Sequence, residues 1–148
     1  MSTQMWGPVT WILFHSLAAK INSRYFNEER SNLIHYIRSI CRILPCPNCA
    51  QHAIQNLVNI DKIKTKRELE VFLFNLHNTV NARKKVPIPD ISIIEQYKTV
   101  NLNKVIQAWI DNFKSDSGIT KLMNLSFIRD KTKISFINYL KNNFHKFN

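Results

Sequence analysis

The sequence predicts an all-α fold. Apolar residues recur at three- and four-residue intervals along nearly the whole chain, the spacing of helices with one buried face. Only two glycines occur, Gly7 and Gly118, too few for the turns of a hairpin-rich β protein. The 148 residues are 45% hydrophobic and 21% charged, an ordinary balance for one domain with a single core.

The first helix is expected around Pro8, which an opening turn tolerates, with Thr3 or Gly7 ahead of it. Trp11, Leu13 or Phe14, Leu17, Ala18 and Ile21 then form its inward stripe. Asn27, Glu28 and Glu29 read as the acidic start of a second helix, with Leu33, Ile34, Ile37, Ile40, Cys41 and Leu44 inward and Pro45 as its stop. A third helix is expected from Cys46 to about Val58. Thr65 with Glu68 three residues on is a capping box. It opens a fourth helix through Leu69, Phe72, Leu73, Leu76, Val80 and Arg83, ended by Pro87 and Pro89. Asp90 or Ser92 caps a short fifth helix carrying Ile93, Ile94 and Tyr97. Further on, Val105, Ile106, Trp109, Ile110 and Phe113 share one amphipathic stripe. Asp116, Ser117 and Gly118 mark a break, and Ile134, Ile137, Leu140, Phe144 and Phe147 make a terminal stripe. There is no internal repeat and no low-complexity linker.

Composition excludes several functions. With two distant glycines the chain holds neither a G-x-G-x-x-G nucleotide turn nor a Walker A loop. The formal charge of +11 is spread along the chain and suits anionic partners: nucleic acid, an anionic membrane or a phosphate-bearing cofactor. A solvated, soluble surface explains it equally well. No apolar run approaches the ~20 residues of a membrane span, and no basic segment precedes a long apolar stretch as in a secretory signal. The expectation is a protein made and kept in the cytosol.

Three cysteines, Cys41, Cys46 and Cys49, do not make a disulfide framework. Cys46-Pro47-Asn48-Cys49 stands at the start of the third helix, where unpaired N–H groups favour a thiolate. Three readings are open on residue chemistry. The pair cycles between dithiol and disulfide. Or it binds zinc in a C-x-x-C-x-x-H set with His52, with Cys41 or His77 as fourth ligand, in a structural module that contacts nucleic acid through the basic surface. Or both cysteines are small packed apolar residues. A thioredoxin arrangement is disfavoured because no strands surround the motif. Trp11 and His15 share a helix face and suit stacking on a flat ring, although a core Trp beside a hydrogen-bonded His has the same spacing. His77, Asn78 and Asn81 lie along one side of the fourth helix. The amides suit the polar edge of a heterocycle, and Arg83, Lys84 and Lys85 beyond them suit a pyrophosphate. A capped polar helix end would look the same.

Three motifs in order resemble a known family. They are Trp6-Gly7-Pro8-x-x-Trp11-x-x-x-His15, then Pro45-Cys46-x-x-Cys49-x-x-His52-Ala53, then His77-Asn78-x-Val80-Asn81-x-Arg83. Over residues 5–98 the chain resembles the FAD-linked sulfhydryl oxidases of the Erv/ALR type, and most of all the short versions encoded by large cytoplasmic DNA viruses. The resemblance implies a four-helix bundle with a short fifth helix, a homodimer, and FAD in the bundle mouth beside the C-x-x-C. It divides the chain into an oxidase domain, 1–98, and an extra C-terminal helical segment, 99–148, expected to pack on the bundle through Trp109, Phe113, Phe136 and Leu140.

Carried over by position, Cys46 and Cys49 are the catalytic pair, Cys46 meeting substrate and Cys49 lying next to the flavin. Gly7, Trp11, His15, Cys49, His52, His77, Asn78, Val80, Asn81, Arg83, Lys84, Lys85 and Tyr97 form the expected cofactor site, with no metal. The implied reaction moves electrons from a dithiol protein, a small C-x-x-C or thioredoxin-like relay, through FAD to O2, giving H2O2. The implied location is the host cytoplasm at sites of virus assembly, with the virion a second one, and nucleic acid is not an implied partner. The sequence also departs from the family pattern. Pro8 replaces an Arg common in cellular members, and Ile21 stands where a Tyr is common. Val86 replaces a phosphate-binding base, so Lys84 or Lys85 must substitute. Phe74 replaces a cysteine of a structural disulfide, and no second C-x-x-C serves as a shuttle arm. Cys41 has no family role, and its spacing suggests a buried structural thiol.

Overall fold

The computed structural model describes residues 5–114 and 123–148. Thr3 and the Asp116–Gly118 break lie outside them. The fold is all-α, as expected. Its helices are α1 (Trp6–Lys20), α2 (Ser23–Arg42), α3 (Pro47–Gln55), α4 (Lys66–Arg83), α5 (Leu102–Asn112) and α6 (Met123–Asn143). The expected short fifth helix is a 3-10 stretch, Ile91–Thr99, between α4 and α5. Among the described residues the only bridge outside helices pairs Ile21 with Phe147.

Local chemistry explains most boundaries. Trp6 opens α1 and Pro8 sits in its first turn, where a missing N–H costs nothing. Helix α2 begins four residues before the expected acidic start, because the Asn22 side chain accepts from the Arg24 N–H at 3.0 Å. Helix α3 is shorter than expected at both ends. Cys46 is its N-cap, Pro47 its first residue, and it stops at Gln55. Half of the expected capping box of α4 is present: the Glu68 N–H donates to Thr65 Oγ1 at 3.1 Å, while the Glu68 carboxylate accepts from the Lys64 N–H at 3.2 Å. At the other end α4 stops three residues short of Pro87. The Val86 and Lys85 N–H groups turn back to the carbonyls of Asn81 and Ala82, and Lys85 takes a left-handed φ of 60°.

Packing centres on α1. Helices α4 and α5 and the 3-10 stretch lie against it, while α2 carries α3 and α6. Residues from all six helices share one core. Trp109 of α5, Phe113 that caps it and Phe136 of α6 are each fully buried with Leu13, Ile21 and Ile40. The terminal stripe keeps Leu140 and Phe147 of the expected row, with Phe136 packed as expected, but is turned away from Ile134 toward Tyr139. Phe136, Tyr139, Leu140 and Phe147 point inward, whereas Ile134 is 60% exposed. Lys133 fixes that rotation by donating to the carbonyls of Ile110 and Phe113 at the end of α5.

The chain end is clasped to α2. Glu29 is 3% exposed and accepts from Tyr139 Oη at 2.6 Å, Lys146 Nζ at 2.7 Å and Asn32 Nδ2 at 3.1 Å. Burial alone would raise its carboxyl, but the bonds from Lys146, Tyr139 and Asn32 outweigh that and hold it below the usual value. Backbone bonds from Asn22 N–H to the Lys146 carbonyl and from Asn148 N–H to the Lys20 carbonyl close the joint.

Because Trp109 fills the space between α1 and α6, Trp109→Ala should cost about 3–5 kcal/mol. A urea titration of the full chain checks this; a midpoint within error of wild type would mean that α5 and α6 do not share the core of α1.

Candidate functional site

The disulfide Cys46–Cys49 closes the first turn of α3. Pro45 ends one backbone direction and Pro47 sets the next, so Cys46 stands at a fixed corner with its Sγ accepting from the Cys49 N–H at 3.2 Å. Both sulfurs lie at the positive end of the α3 dipole, which stabilises a thiolate on reduction.

A cavity of about 270 Å³ opens beside this corner. Cys49 is on its wall and Cys46 is not, although both are half-buried against the core, so the two cysteines differ in what they face. Helix α1 supplies two adjacent rows, Gly7 with Trp11, and Trp6 with Thr10 and Phe14. The Thr10 hydroxyl is turned away into a 2.6 Å bond to the Trp6 carbonyl, leaving this wall apolar and aromatic. Helix α3 adds His52 and Ala53, and α4 with its C-cap adds Leu76, Val80, Arg83 and Lys84. Arg83 and Lys84 are exposed, so the cavity is apolar within and cationic at its rim. Burial, and then Arg83, lower the His52 pKa.

A stack of rings stands next to this cavity and shares Trp11 with it. Trp11 and His77 lie face to face, centroids 4.1 Å apart and planes 8° apart. His15 joins His77 through a 3.1 Å bond between Nε2 and Nδ1, and Tyr97 stacks on His15 at 4.9 Å. The expected clamp of Trp11 and His15 thus takes a different form, with His77 packed against both rings.

Of the expected site residues, Gly7, Trp11, Cys49, His52, Val80, Arg83 and Lys84 line the cavity. His15, His77 and Tyr97 form the neighbouring stack. Asn78 and Asn81 are half-buried on α4 outside the lining. Of the two candidate lysines Lys84 is on the rim; Lys85 occupies the left-handed residue that turns the chain off the helix. Trp6, Thr10, Phe14, Cys41, Leu44, Ala53 and Leu76 were missed. Most lie one helical turn from a residue that was found, and that spacing was the available signal. Cys41 is buried as expected, and burial pushes its thiol up to about 12 although it shares the cavity wall with Cys49. The zinc reading has no support. Among the described residues no three His, Cys, Asp or Glu side chains gather as ligands, and the two cysteines bond each other.

A family model described as Erv1 / Alr matches residues 8–104. An FAD-linked sulfhydryl oxidase, as it is named, of Invertebrate iridescent virus 3 is 34% identical over 87 residues, 57% of this chain and 59% of its own. The rice (Oryza sativa subsp. japonica) FAD-linked sulfhydryl oxidase ERV1 is 30% identical over 55% of this chain and 43% of its own. A counterpart named likewise in Invertebrate iridescent virus 6 is 27% identical over 57% of this chain and 83% of its own. The chain thus spans less than two thirds of the first two relatives. No solved structure matches.

The imidazole pair gives the site a pH signature. Burial, then His77, press the His15 pKa down to about 3, and burial, then Lys84, press that of His77 to about 4. In the unfolded chain both groups titrate near 6.5. Between these values the unfolded state binds more protons, so stability is full above pH 6.5 and falls as pH drops toward 4. His15 alone accounts for about 2 kcal/mol of loss by pH 5. His77→Phe keeps a ring against Trp11 and should flatten the decline in urea midpoint between pH 7.5 and 5; an unchanged slope would mean that His77 is already charged in the fold.

Proposed function

The chain belongs to the Erv1 / Alr family, and from that premise we propose that it is an FAD-dependent thiol oxidase that makes disulfides in a dithiol protein. One observation carries the reading: the Cys46–Cys49 disulfide presents Cys49 alone to an aromatic cavity with a cationic rim.

The residues present fit the cofactor. Trp6, Trp11 and Phe14 offer flat apolar surface to a planar ring, and Gly7 brings bare backbone to the wall. Arg83 and Lys84 offer charge to the pyrophosphate. The ring stack of His15, His77 and Tyr97 and the amides of Asn78 and Asn81 serve the remaining polar groups. Bound FAD would supply an electron acceptor beside Cys49 and hand the electron pair to O2 as H2O2.

The protein's share of the work is thiol exchange. A substrate thiolate attacks Cys46 Sγ, the bond to Cys49 Sγ breaks, and Cys49 leaves as a thiolate held by the α3 N-terminus. The second substrate thiolate attacks the mixed disulfide, releasing oxidised substrate and the Cys46 thiolate. The substrate thus loses two electrons and two protons. Cys41, with its thiol pKa near 12, stays protonated and outside the exchange.

The substrate in this reading is a small C-x-x-C or thioredoxin-like relay protein, the assembly a homodimer, and the setting the host cytoplasm at virus assembly sites, with the virion a second location. Among the described residues no helix is long and apolar enough to cross a membrane.

Protein purified without added cofactor should carry a flavin absorbance band through gel filtration. Cys49→Ser should keep that band and lose O2 consumption with a dithiol by at least about a hundredfold, well within the loss that follows removal of a covalent nucleophile. A colourless protein that added FAD does not activate, or a Cys49→Ser variant with normal O2 uptake, would sink the assignment.

A further inference from the structure

Helix α6 lies beyond the matched residues 8–104, yet it reaches the redox corner. Arg129 is 8% exposed, while its neighbours Phe127 and Ile128 are 62% and 48% exposed. Its Nε donates to the Ile43 carbonyl at 3.2 Å. Ile43 caps α2, its own N–H bonding the Ile40 carbonyl at 3.1 Å. Its carbonyl is one that the helix cannot satisfy from within. Only Leu44 and Pro45 separate Ile43 from Cys46.

This segment transmits position. Three trans peptides span at most about 11 Å between the Cα atoms of Ile43 and Cys46. Pro45 and Pro47 remove φ freedom on both sides of Cys46. A bond that pins the Ile43 carbonyl therefore restricts where the Cys46 sulfur points. Leu44, inside the segment, is also on the cavity wall, so the same pin bears on the surface next to Cys49. Burying a guanidinium is costly, and an apolar side chain would tie α6 to α2 more cheaply if attachment were its only purpose. The charge is also at the negative end of the α2 dipole, where it is stabilised.

We propose that Arg129 is a positioning residue for thiol exchange: through the Ile43 carbonyl it holds the segment that presents Cys46 to an incoming thiolate. The inference rests on Cys46 being the sulfur that meets substrate. Attack requires the entering sulfur in line with the bond it breaks. Misplacement by about 1 Å costs up to roughly a hundredfold in rate.

The test uses the full chain as purified. Dithiothreitol reduces the Cys46–Cys49 disulfide anaerobically, and thiols trapped by alkylation at timed points give a second-order rate. This readout needs neither O2 nor oxidase turnover. Arg129→Met should slow reduction about tenfold or more, with melting temperature and flavin content held near wild type, and Arg129→Lys should recover much of the rate. Hydrogen exchange of the Leu44, Cys46, Asn48 and Cys49 amides should rise in Arg129→Met while that of α1 does not. A wild-type reduction rate in Arg129→Met overturns the proposal. So does a slowing that only tracks a lower melting temperature in both variants, which marks a structural tie. If Arg129→Met does not fold, Arg129→Gln takes its place, and a wild-type rate in it overturns the proposal equally. Exchange that depends on Arg129 in a protein without oxidase turnover would keep this inference and reject the oxidase reading.

Discussion

The C-terminal half of helix α1 has to be buried on all its faces, and the other elements are arranged by that requirement. Its buried residues run without a gap from Leu13 to Ala19, with Trp6 and Thr10 before them. A helix apolar all round needs cover on every side. Helix α4 and the 3-10 stretch cover one side, and α5 another. The aromatic rows at its N-terminal half are left to face the cavity. Of the buried polar side chains it carries, two find partners inside the protein and the Ser16 hydroxyl has none. Thr10 turns to the Trp6 carbonyl, and His15 turns to His77. The ring stack is thus a consequence of a histidine placed on a buried helix as well as a feature of the site.

The C-terminal segment solves a different problem. Two long elements, α5 and α6, must reach the core in one register. Trp109, Phe113 and Phe136 supply the apolar contact, but such contacts tolerate sliding. The clasp of Glu29, Tyr139 and Lys146 does not, because each donor must meet a buried carboxylate. A buried ion pair adds little net stability after desolvation, and its value here is in fixing which residues meet.

The three cysteines illustrate how position decides reactivity. Cys41 and Cys49 share a cavity wall, yet burial within α2 raises the first thiol to about 12, while the second sits in the opening turn of a helix. The two prolines around Cys46 hold its sulfur at a corner between α2 and α3. An apolar cavity with Arg83 and Lys84 only at its mouth separates the place for a flat ring from the place for negative charge.

The sequence by itself determined the helical class, the capped start of α4, the redox pair at a helix start and the residues on three of the cavity's walls. The first two depend on neighbours within one or two turns, where spacing is a direct measure of direction; the redox role of the pair and the cavity residues were legible through the resemblance of three ordered motifs to the family. The start of α2 was misread because Glu28 and Glu29 resemble a first-turn acidic cluster, whereas Lys146, more than a hundred residues on, is what they bind. The stripe of α6 was likewise ambiguous: two overlapping apolar rows fit the pattern, and Lys133 docking on the end of α5 selects the one through Phe136. The stacking of Trp11 on His77, the clasp at Glu29 and the bond from Arg129 to Ile43 join residues far apart in the chain. Periodicity records which face of a helix is apolar and carries no information about which other helix will cover it. Only the closing of the core around α1 decided those pairings.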